Sequence, residues 1–583
     1  MPPEAPARPL SWRGFGLLVL GQLVLAVLGT YPVAFHLGRG ELWGGGPDSF
    51  QSLWNLWWTR TALASPTERW FHSDWIDFPA GMPLALHTFA PLKSLLGVPL
   101  GELLAANDVH SVLMLATYWW AGVAAFLLVY DWLGRVRWAL LGALIYAHAP
   151  YHAVHALGHM NLASIEFLPL FFLCLARTLG AGPAHLGRTP PERRRWWAAG
   201  AGAAWALTAW VDLQYALFLG LFAPLFAWAL RRQGVSAVGP PAWRLLAWGA
   251  GTAALLVAPL ATLMGLELLR SGMPDAPAGS ELYSLDLLAV ALPSPFNPLS
   301  GRLVAPFLAR HPGWYESVER VGYVGLLPLL CGLLAFRRVR AVAAWRWVLV
   351  AAWILSLGPT LRVLGFDTRV PLPSALFPHL PVLGQFRAPG RFQVLTVLAL
   401  AVLVPAVLAA LVDRASAGKR ALLALGSYVV VALDLVAFPV ILTPIHVPGA
   451  VHYLAAQPDH AAIHLPILDE TPYVWMHYQG LCGKKLLIGR TARDYAARKE
   501  LAEATRQRLS ALLQPDASGV FPGPASVRRE YQEAGVGYLV VPLDFAQSAR
   551  LRRRSEELLK HLCPDGPAFR DEEHAVVRIA DLP

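Results

Sequence analysis

The sequence GGGPDSFQSLWNLWW, residues 44–58, follows the first long apolar run of the chain, at about residues 14–35. It places one carboxylate, Asp48, between three glycines and three tryptophans. The apolar side chains of this stretch recur at helical spacing, on one face. That pattern predicts a helix lying in the membrane surface, which would hold Asp48 at the level of the lipid headgroups. The predicted face carries Leu53, Trp54, Trp57 and Trp58.

The composition of the whole chain is that of an integral membrane protein. Of 583 residues, 56% are hydrophobic and 15% are charged, and the mean hydropathy is +0.45. Soluble domains carry about 25% charged residues. The 23 tryptophans fit the same class, because indole rings favour the interface between membrane and water. We therefore predict an α-helical polytopic membrane protein.

Eleven apolar runs are candidate transmembrane helices. Several are shorter than the roughly 20 residues that cross the hydrocarbon core, so the ends of these runs are approximate. The runs lie at about 14–35, 109–130, 138–150, 162–177, 196–211, 213–230, 245–264, 321–336, 341–357, 392–412 and 421–442.

Basic residues are distributed unevenly between the connecting segments. Alternate segments hold clusters such as Arg193, Arg194 and Arg195, whereas the tight turns near 151–161 and at Asp212 hold no Lys or Arg. Because Lys and Arg favour cytoplasmic loops, the N-terminus is predicted to be cytoplasmic. An odd number of spans then puts the C-terminus outside. The net charge of +10 thus reflects topology, and we predict no nucleic acid partner.

The composition becomes charged and proline-containing after Leu442. We predict a transmembrane domain over 1–442 and a soluble extracytoplasmic α/β domain over 443–583, because short β-branched runs alternate there with helical stretches at about 494–514 and 545–562. This domain shows no glycine-rich phosphate loop. Its two cysteines, Cys482 and Cys563, either form a disulfide or remain two separate buried thiols.

Polar residues cluster at the predicted outer ends of the spans. The outer loop at 36–108 carries Asp48, His87 and Lys93. The turn at 149–167, APYHAVHALGHMNLASIEF, can place three histidines on one helical face, which suits either a metal site or hydrogen bonding and packing. The candidates in this turn are His152, His155, His159 and Asn161, followed along the chain by Asp212 and Tyr215. Asp212 is either a functional residue at membrane depth or a helix cap.

Two longer outer loops, at about 265–320 and 358–391, complete the set. In the motif FRAPGRF, residues 386–392, Arg387 and Arg391 flank a Pro-Gly turn. Two forked guanidinium groups there can grip a phosphate or, alternatively, anchor the next span at the interface. The acidic residues of these loops are Glu267, Asp275, Glu281, Asp286, Glu316 and Glu319.

A carboxylate, histidines and arginines near the headgroup plane suit group transfer from a lipid-linked phosphate donor. A base removes the proton from an acceptor hydroxyl, the hydroxyl attacks an anomeric carbon, and cations stabilise the leaving lipid phosphate. This chemistry needs no nucleotide-binding fold, and the sequence shows no sign of one.

The chain resembles the membrane glycosyltransferases of the GT-C superfamily, such as protein mannosyltransferases and aminoarabinose transferases. It is also similar to a group of bacterial multispanning proteins that share a PDSFQSLWNLWW-type loop, a FPAGMPL stretch, a PYHAVHALGHMNL turn and a FRAPGRF motif. In the superfamily, an acidic residue near the start of the first outer loop is essential, and Asp48 occupies the equivalent place. The resemblance implies an external active site, with Asp48 as the catalytic base.

The resemblance also implies the partners: a polyprenyl-phosphate sugar as donor, a lipid, glycan or protein of the envelope as acceptor, and membrane lipids. Many members have a pair of acids where this loop has only PDS, which weakens the case for a carboxylate-bound metal. No cofactor is predicted, and a divalent metal stays open. The binding candidates are His87, Lys93, His155, His159, Asn161, Asp212, Tyr215, Arg387 and Arg391.

Two other classes of protein remain alternatives. A lipid or sugar transporter would carry polar coupling residues near the membrane midplane, often in two related halves, and no internal repeat is visible. A non-catalytic scaffold for assembly of an envelope polymer is also open, because Asp48 could simply cap a helix that starts at Ser49 or Phe50.

Overall fold

The computed structural model describes residues 11–181, 189–234, 242–275, 280–311, 318–380, 382–437, 440–458, 461–466, 472–491, 493, 495–515, 521–544 and 549–583. Glu316, one of the acidic loop residues, lies outside these ranges. The helices are α1 Trp12–Gly29, α2 Pro47–Ala64, α3 Pro91–Leu100, α4 Ala106–Leu133, α5 Val136–Ala147, α6 Pro150–His155, α7 Met160–Ala163, α8 Phe167–Thr178, α9 Arg194–Val211, α10 Leu213–Arg232, α11 Ala242–Ser271, α12 Gly301–Arg310, α13 Leu326–Arg338, α14 Ala344–Ser356, α15 Gln393–Val412, α16 Ala417–Leu435, α17 Gly449–Ala455, α18 Pro472–Cys482, α19 Ala496–Ala511, α20 Pro524–Glu533 and α21 Ala549–Leu562. The strands are β1 Glu41–Trp43, β2 His72–Ser73, β3 Met82–Pro83, β4 Thr360–Val363, β5 Phe366–Pro371, β6 Leu442–Pro444, β7 Ala462–His464, β8 Val536–Pro542, β9 Phe569–Arg570 and β10 His574–Arg578.

The chain is a multi-pass membrane protein. Every predicted apolar run overlaps a helix of the structure. Within the described residues, five helical segments are long and apolar enough to cross a membrane, namely α1, α4, α10, most of α11, and the segment Pro389–Val412 that contains α15. Helices α8 and α14 are apolar but shorter. The total of about eleven crossings stays a prediction.

Helix α15 forms the centre of the membrane part. Its sequence is apolar on all sides, and nearly every one of its 20 residues is buried, from Gln393 to Val412. Such a helix has no polar face to offer to solvent, so it packs among its neighbours α5, α13 and α14. Helix α1 differs, since Trp12, Leu17 and Leu20 on its surface are exposed, as suits contact with lipid tails.

A short sheet joins the two ends of the membrane part. Strand β1, just before the glycine run, pairs antiparallel with β6, which follows the last apolar helix. Trp43 lies opposite Leu442, and the Gly44 N–H donates to the Ile441 carbonyl at 2.9 Å. This pairing fixes the start of the loop that carries Asp48 against the start of the C-terminal segment.

The residues after β6 contain a four-stranded sheet in the order β7, β8, β10, β9. Strands β7 and β8 are parallel, while β10 is antiparallel to both of its neighbours. A buried cluster of leucine, valine and tyrosine side chains joins this sheet to α19, α20 and α21. The placement of this sheet on the outer side of the membrane stays a prediction.

The prediction that the tryptophan face of α2 lies in the membrane surface is wrong. Trp54 and Trp58 are fully buried in a core shared by α2, the following loop and the C-terminal segment. The Trp54 indole N–H donates to Gln479 Oε1 at 2.8 Å, and that of Trp58 donates to the Trp70 carbonyl at 3.0 Å. Protein contacts therefore bury the rings and satisfy their N–H groups, which an interfacial helix would leave to water.

The described cysteines are all free. Cys482 lies in the core that α2 shares with the C-terminal segment, whereas Cys563 packs against the sheet cluster. The alternative of two separate thiols is therefore the one that the structure adopts.

Candidate functional site

Asp48 lies in the first turn of α2, with its side chain 45% exposed. The preceding glycines adopt left-handed backbone angles, with φ of +86° at Gly44 and +78° at Gly45, which other residues rarely adopt. The helix starts at Pro47, and its N-cap residue is Gly46, which has no side chain to cap it. Asp48 is thus not the cap, and the positive end of the helix favours its negative charge.

His159 is the partner of Asp48. Its Nε2 lies 3.2 Å from Asp48 Oδ2, because the turn between α6 and α7 brings Gly158 against the first turn of α2. Burial lowers the pKa of His159, although the charges of Asp48 and Glu319 oppose that shift. The imidazole is therefore held in its neutral form beside the carboxylate.

The spacing of the three histidines in this turn would allow them to share one helical face, but in the structure they do not. Helix α6 ends at His155, and His159 precedes the separate helix α7. His152 points elsewhere and is fully buried, with its ring nitrogens within hydrogen-bonding distance of the Ala147 carbonyl, at 2.7 Å, and of Thr117 Oγ1, at 3.2 Å. It therefore serves packing and hydrogen bonding.

Glu319 links two of the predicted residues. Its Oε1 accepts from Arg391 Nε at 2.9 Å and from Nη2 at 2.5 Å, and its Oε2 lies 3.2 Å from His155 Nε2. All three side chains are buried. Burial raises the pKa of Glu319, but Arg391 and His155 outweigh that effect and hold it well below its usual range. A buried carboxylate thus stays ionised between two partners.

The FRAPGRF turn gives its two arginines different roles. A side chain at Gly390 would place its Cβ 2.5 Å from the Glu319 carbonyl oxygen, so only glycine allows this approach. Arg391 is committed to protein partners, since its Nη1 also donates to Gln214 Oε1 at 2.6 Å. Arg387 lies with its guanidinium 5.3 Å from the centre of the Tyr283 ring.

Asp212 caps a helix, which is one of the two roles that the sequence left open. Its Oδ1 accepts from the Tyr215 N–H at 2.9 Å, which caps α10, and its Oδ2 accepts from Asn161 Nδ2 at 2.6 Å. The Tyr215 hydroxyl lies 2.7 Å from that of Tyr151 and donates to the Leu162 carbonyl at 2.8 Å. These bonds join α10 to the turn that carries His159.

A cavity of about 320 Å³ brings together five of the predicted binding residues. Apolar side chains from the first outer loop, α10 and α11 form much of its wall, including Phe71, Leu217, Leu260 and Met264. Its polar lining includes His87, Asn161, Asp212, Gln214, Arg387, Arg391 and Arg493. The cavity thus combines an apolar wall with three guanidinium groups, which suits an amphiphile with an anionic group.

Five candidates are not among the described residues that line the cavity, namely Asp48, Lys93, His155, His159 and Tyr215. Lys93 is buried and pairs with Glu166, with Nζ 2.7 Å from Oε1, and it is not part of the cavity lining. Tyr215 lies behind the lining, on the Tyr151 side. His87 does line the cavity, where its Nε2 lies 3.2 Å from Asn55 Oδ1, and burial lowers its pKa to about 3.

Sequence reasoning missed two residues of this site. Glu319 appeared only as one acid among six in the outer loops, and Arg493 was not singled out. The signal for Arg493 was the basic run IGRTAR at 488–493, in a segment otherwise interpreted as part of a separate domain.

Within the described ranges, no group of three or more His, Cys, Asp and Glu side chains is arranged to hold a metal ion. Glu319, for example, is engaged by Arg391 and His155. The residues present thus do not fit a metal centre.

A family model described as a domain of unknown function, DUF6311, matches residues 12–435. The chain belongs to this family. The DUF6311 match ends with α16, so the C-terminal sheet lies beyond the matched residues. No curated protein matches the sequence.

Solved structures share the fold of this DUF6311 protein. The arabinofuranosyltransferase AftD from Mycobacteria aligns with a TM-score of 0.58 and 17% identity, over 95% of this chain and only 37% of AftD. ArnT from Cupriavidus metallidurans in the apo state aligns with a TM-score of 0.50 and 14% identity, over 97% of this chain and 98% of ArnT. The DUF6311 chain therefore has a GT-C fold, which confirms the resemblance seen in the sequence.

Proposed function

We propose that this protein is a membrane glycosyltransferase that transfers a sugar from a polyprenyl-phosphate donor to a lipid, glycan or protein of the bacterial envelope. The observation that carries the proposal is the position of Asp48. Its half-exposed carboxylate lies beside His159. His159 belongs to the same turn as Asn161, and Asn161 lines the cavity that combines apolar walls with arginines. A base next to a site for an anionic amphiphile is what the reaction requires.

The cavity suits the donor. An isoprenoid chain has only apolar surface, and Leu260 and Met264 of α11 and Leu217 of α10 supply a matching wall. The phosphate would meet guanidinium groups at the other side, where charge-assisted hydrogen bonds are strong. Arg391, which the sequence suggested as a ligand, would instead support this wall through its bonds to Glu319 and Gln214.

Asp48 would act as the general base. The acceptor hydroxyl transfers its proton to Asp48 while its oxygen bonds to the anomeric carbon of the donor sugar. The bond between that carbon and the phosphate oxygen breaks, and its electron pair leaves with the polyprenyl phosphate. Neutral His159, 3.2 Å away, would donate a hydrogen bond that orients the carboxylate.

The finer topology belongs to the same proposal. We propose about eleven transmembrane helices within residues 1–442, a cytoplasmic N-terminus in the bacterial inner membrane, and an extracytoplasmic domain over 443–583. The alternation of basic residues along the sequence supports this orientation.

The decisive experiment compares sugar transfer by the wild-type protein and by Asp48→Asn in membranes supplied with a panel of polyprenyl-phosphate sugars. We expect the variant to lose at least about 100-fold in rate, because loss of a general base costs 10²–10⁴-fold. Glu102→Gln is the matched control, since Glu102 lies in the same loop in an exposed pair with Arg60 and should transfer normally. Equal transfer by Asp48→Asn would remove Asp48 from the chemistry, and no transfer by the wild type across the panel would contradict the proposed function.

A further inference from the structure

The cavity wall contains one residue from the C-terminal segment, Arg493, among the residues that the structure describes. The other lining residues come from the outer loop and from the ends of the membrane helices, up to Arg391. A segment that follows the matched family region by more than fifty residues thus contributes a cation to the site.

A row of contacts places Arg493 there. Lys485 Nζ lies 2.7 Å from Asp74 Oδ2, and the Gly489 N–H donates to Asp77 Oδ1 at 2.9 Å. After Arg493, the Nη1 of Arg498 donates to the Ala80 carbonyl at 2.9 Å. The segment is therefore tied to the first outer loop on both sides of the arginine.

The positive charges around Arg493 outweigh the negative ones. Its Nη2 donates to the Gln385 carbonyl at 3.0 Å, while its Nη1 is buried and has no hydrogen-bond partner among the described residues. Burial lowers the pKa of Arg493, and the charges of Arg387 and Arg391 lower it further, against a smaller opposing effect of Tyr495 and Asp212. A partly buried guanidinium that faces mainly like charges is costly unless an anion joins it.

The neighbouring Arg391, unlike Arg493 within the described residues, has a carboxylate partner. Arg391 directs Nε and Nη2 to Glu319 and Nη1 to Gln214, so its charge is balanced and its donors are used. The positive charge that the cavity offers to a ligand comes mainly from Arg387 and Arg493. Two forked guanidinium groups on a shared site match the oxygens of a phosphate.

We propose that Arg493 binds the phosphate of the lipid-linked donor together with Arg387, so that the C-terminal domain completes the donor site. This inference rests on the proposed function and extends it. The site is then built from two parts of the chain, and neither part alone holds the full set of phosphate ligands.

The test measures binding of undecaprenyl phosphate to the purified full-length protein in detergent, with inorganic phosphate as a second ligand. We expect Arg493→Gln to bind undecaprenyl phosphate at least about tenfold more weakly than the wild type, as the loss of a charge-assisted hydrogen bond predicts. Arg493→Lys keeps a charge but loses the fork, and we expect an intermediate loss. Arg508→Gln is the control, since Arg508 lies on the exposed face of α19 near Glu530, and its affinity should stay within about twofold of the wild type.

The melting temperature of the free protein distinguishes ligand binding from a structural role. Removing an unbalanced buried charge should leave the melting temperature unchanged or raise it, whereas a structural arginine would lower it. Equal binding by the wild type and both Arg493 variants would overturn this inference alone, and so would lowered melting temperatures in both variants. Inorganic phosphate bound as tightly as the lipid would also overturn it, by assigning the arginines to free phosphate. No binding of the lipid by the wild type would overturn the proposed function as well.

Discussion

Glu319 contacts two partners, the guanidinium of Arg391 and the imidazole of His155. Its carboxylate is buried, its pKa is held well below the usual range by Arg391 and His155 against the effect of burial, and neither of its oxygens is left without a partner. A pair of this kind gives little net stability over an apolar equivalent, but removing one member leaves an uncompensated charge. Removing Glu319 alone should therefore destabilise the protein strongly, whereas removing Glu319 and Arg391 together should destabilise it less.

We expect Glu319→Gln to lower the free energy of unfolding by about 3–5 kcal/mol, because Arg391 would keep a buried charge without a counter-ion. The double variant Glu319→Gln, Arg391→Gln should regain part of that loss. Thermal unfolding in detergent measures both, with Glu102→Gln as the exposed control, for which we expect less than about 1 kcal/mol. A double variant that is less stable than Glu319→Gln would contradict this account of the pair.

His87 makes the stability of the cavity wall depend on pH. Its pKa is about 3 in the folded protein, against 6.5 for an ordinary histidine. Between these values the unfolded chain binds a proton and the folded chain does not, so its contribution is complete above pH 6.5 and is lost as the pH falls. The loss is about 1.4 kcal/mol for each pH unit.

We expect His87→Gln to show a shallower fall in melting temperature than the wild type between pH 7 and pH 5. Glutamine keeps a donor for Asn55 but does not titrate in this range. The exposed His379 provides a control, since His379→Gln should follow the slope of the wild type. Parallel slopes for His87→Gln and the wild type would show that His87 is protonated in the folded state.

At the level of the elements, the sequence predicts helices well and their partners poorly. The apolar runs overlap helices because burial in lipid or protein demands an apolar sequence in either case. The same ambiguity explains the error at α2, whose Trp54 and Trp58 suit an interface with lipid as well as one with protein. Glu319 could not be distinguished from the other loop acids, because only the approach of Gly390 brings Arg391 to it.

Gln479 of α18 joins the C-terminal segment to α2 and its loop. It is fully buried, accepts from the Trp54 indole and donates from Nε2 to the carbonyls of Trp75, at 2.6 Å, and Lys484, at 2.8 Å. Leucine has a similar size but would remove all three bonds. The Trp75 carbonyl would still accept from the Leu486 N–H at 2.9 Å, whereas the buried Trp54 N–H would lose its acceptor, at a cost of about 1–3 kcal/mol.

We therefore expect Gln479→Leu to destabilise the protein by about 3 kcal/mol or more and to speed hydrogen exchange in α2. Gln507→Leu is the matched control, because Gln507 lies exposed on α19 and donates to Glu503 within its own helix. Unchanged exchange in α2 of Gln479→Leu would mean that α2 does not depend on this contact.

At the scale of the molecule, the division at residue 442 describes the composition but not the packing. The core around Trp54 includes Leu260 of α11, Trp475 of α18 and Val540 of the sheet, so side chains from both predicted domains share one interior. The boundary at residue 442 marks a change in amino-acid composition along the chain. Only long-range contacts such as that between Gly489 and Asp77 reveal that the two parts form a common surface around the site.

The pairing of β1 with β6 also has a consequence for biosynthesis. The ribosome synthesises the loop that carries Asp48 early. Strand β6, Leu442–Pro444, which pairs with β1 at the start of this loop, is synthesised only after α16. Closing so long a loop is a late event, because contacts between distant segments must await synthesis of the second one. A nascent chain that carries only α1 to α16 would thus lack the strand that secures the loop.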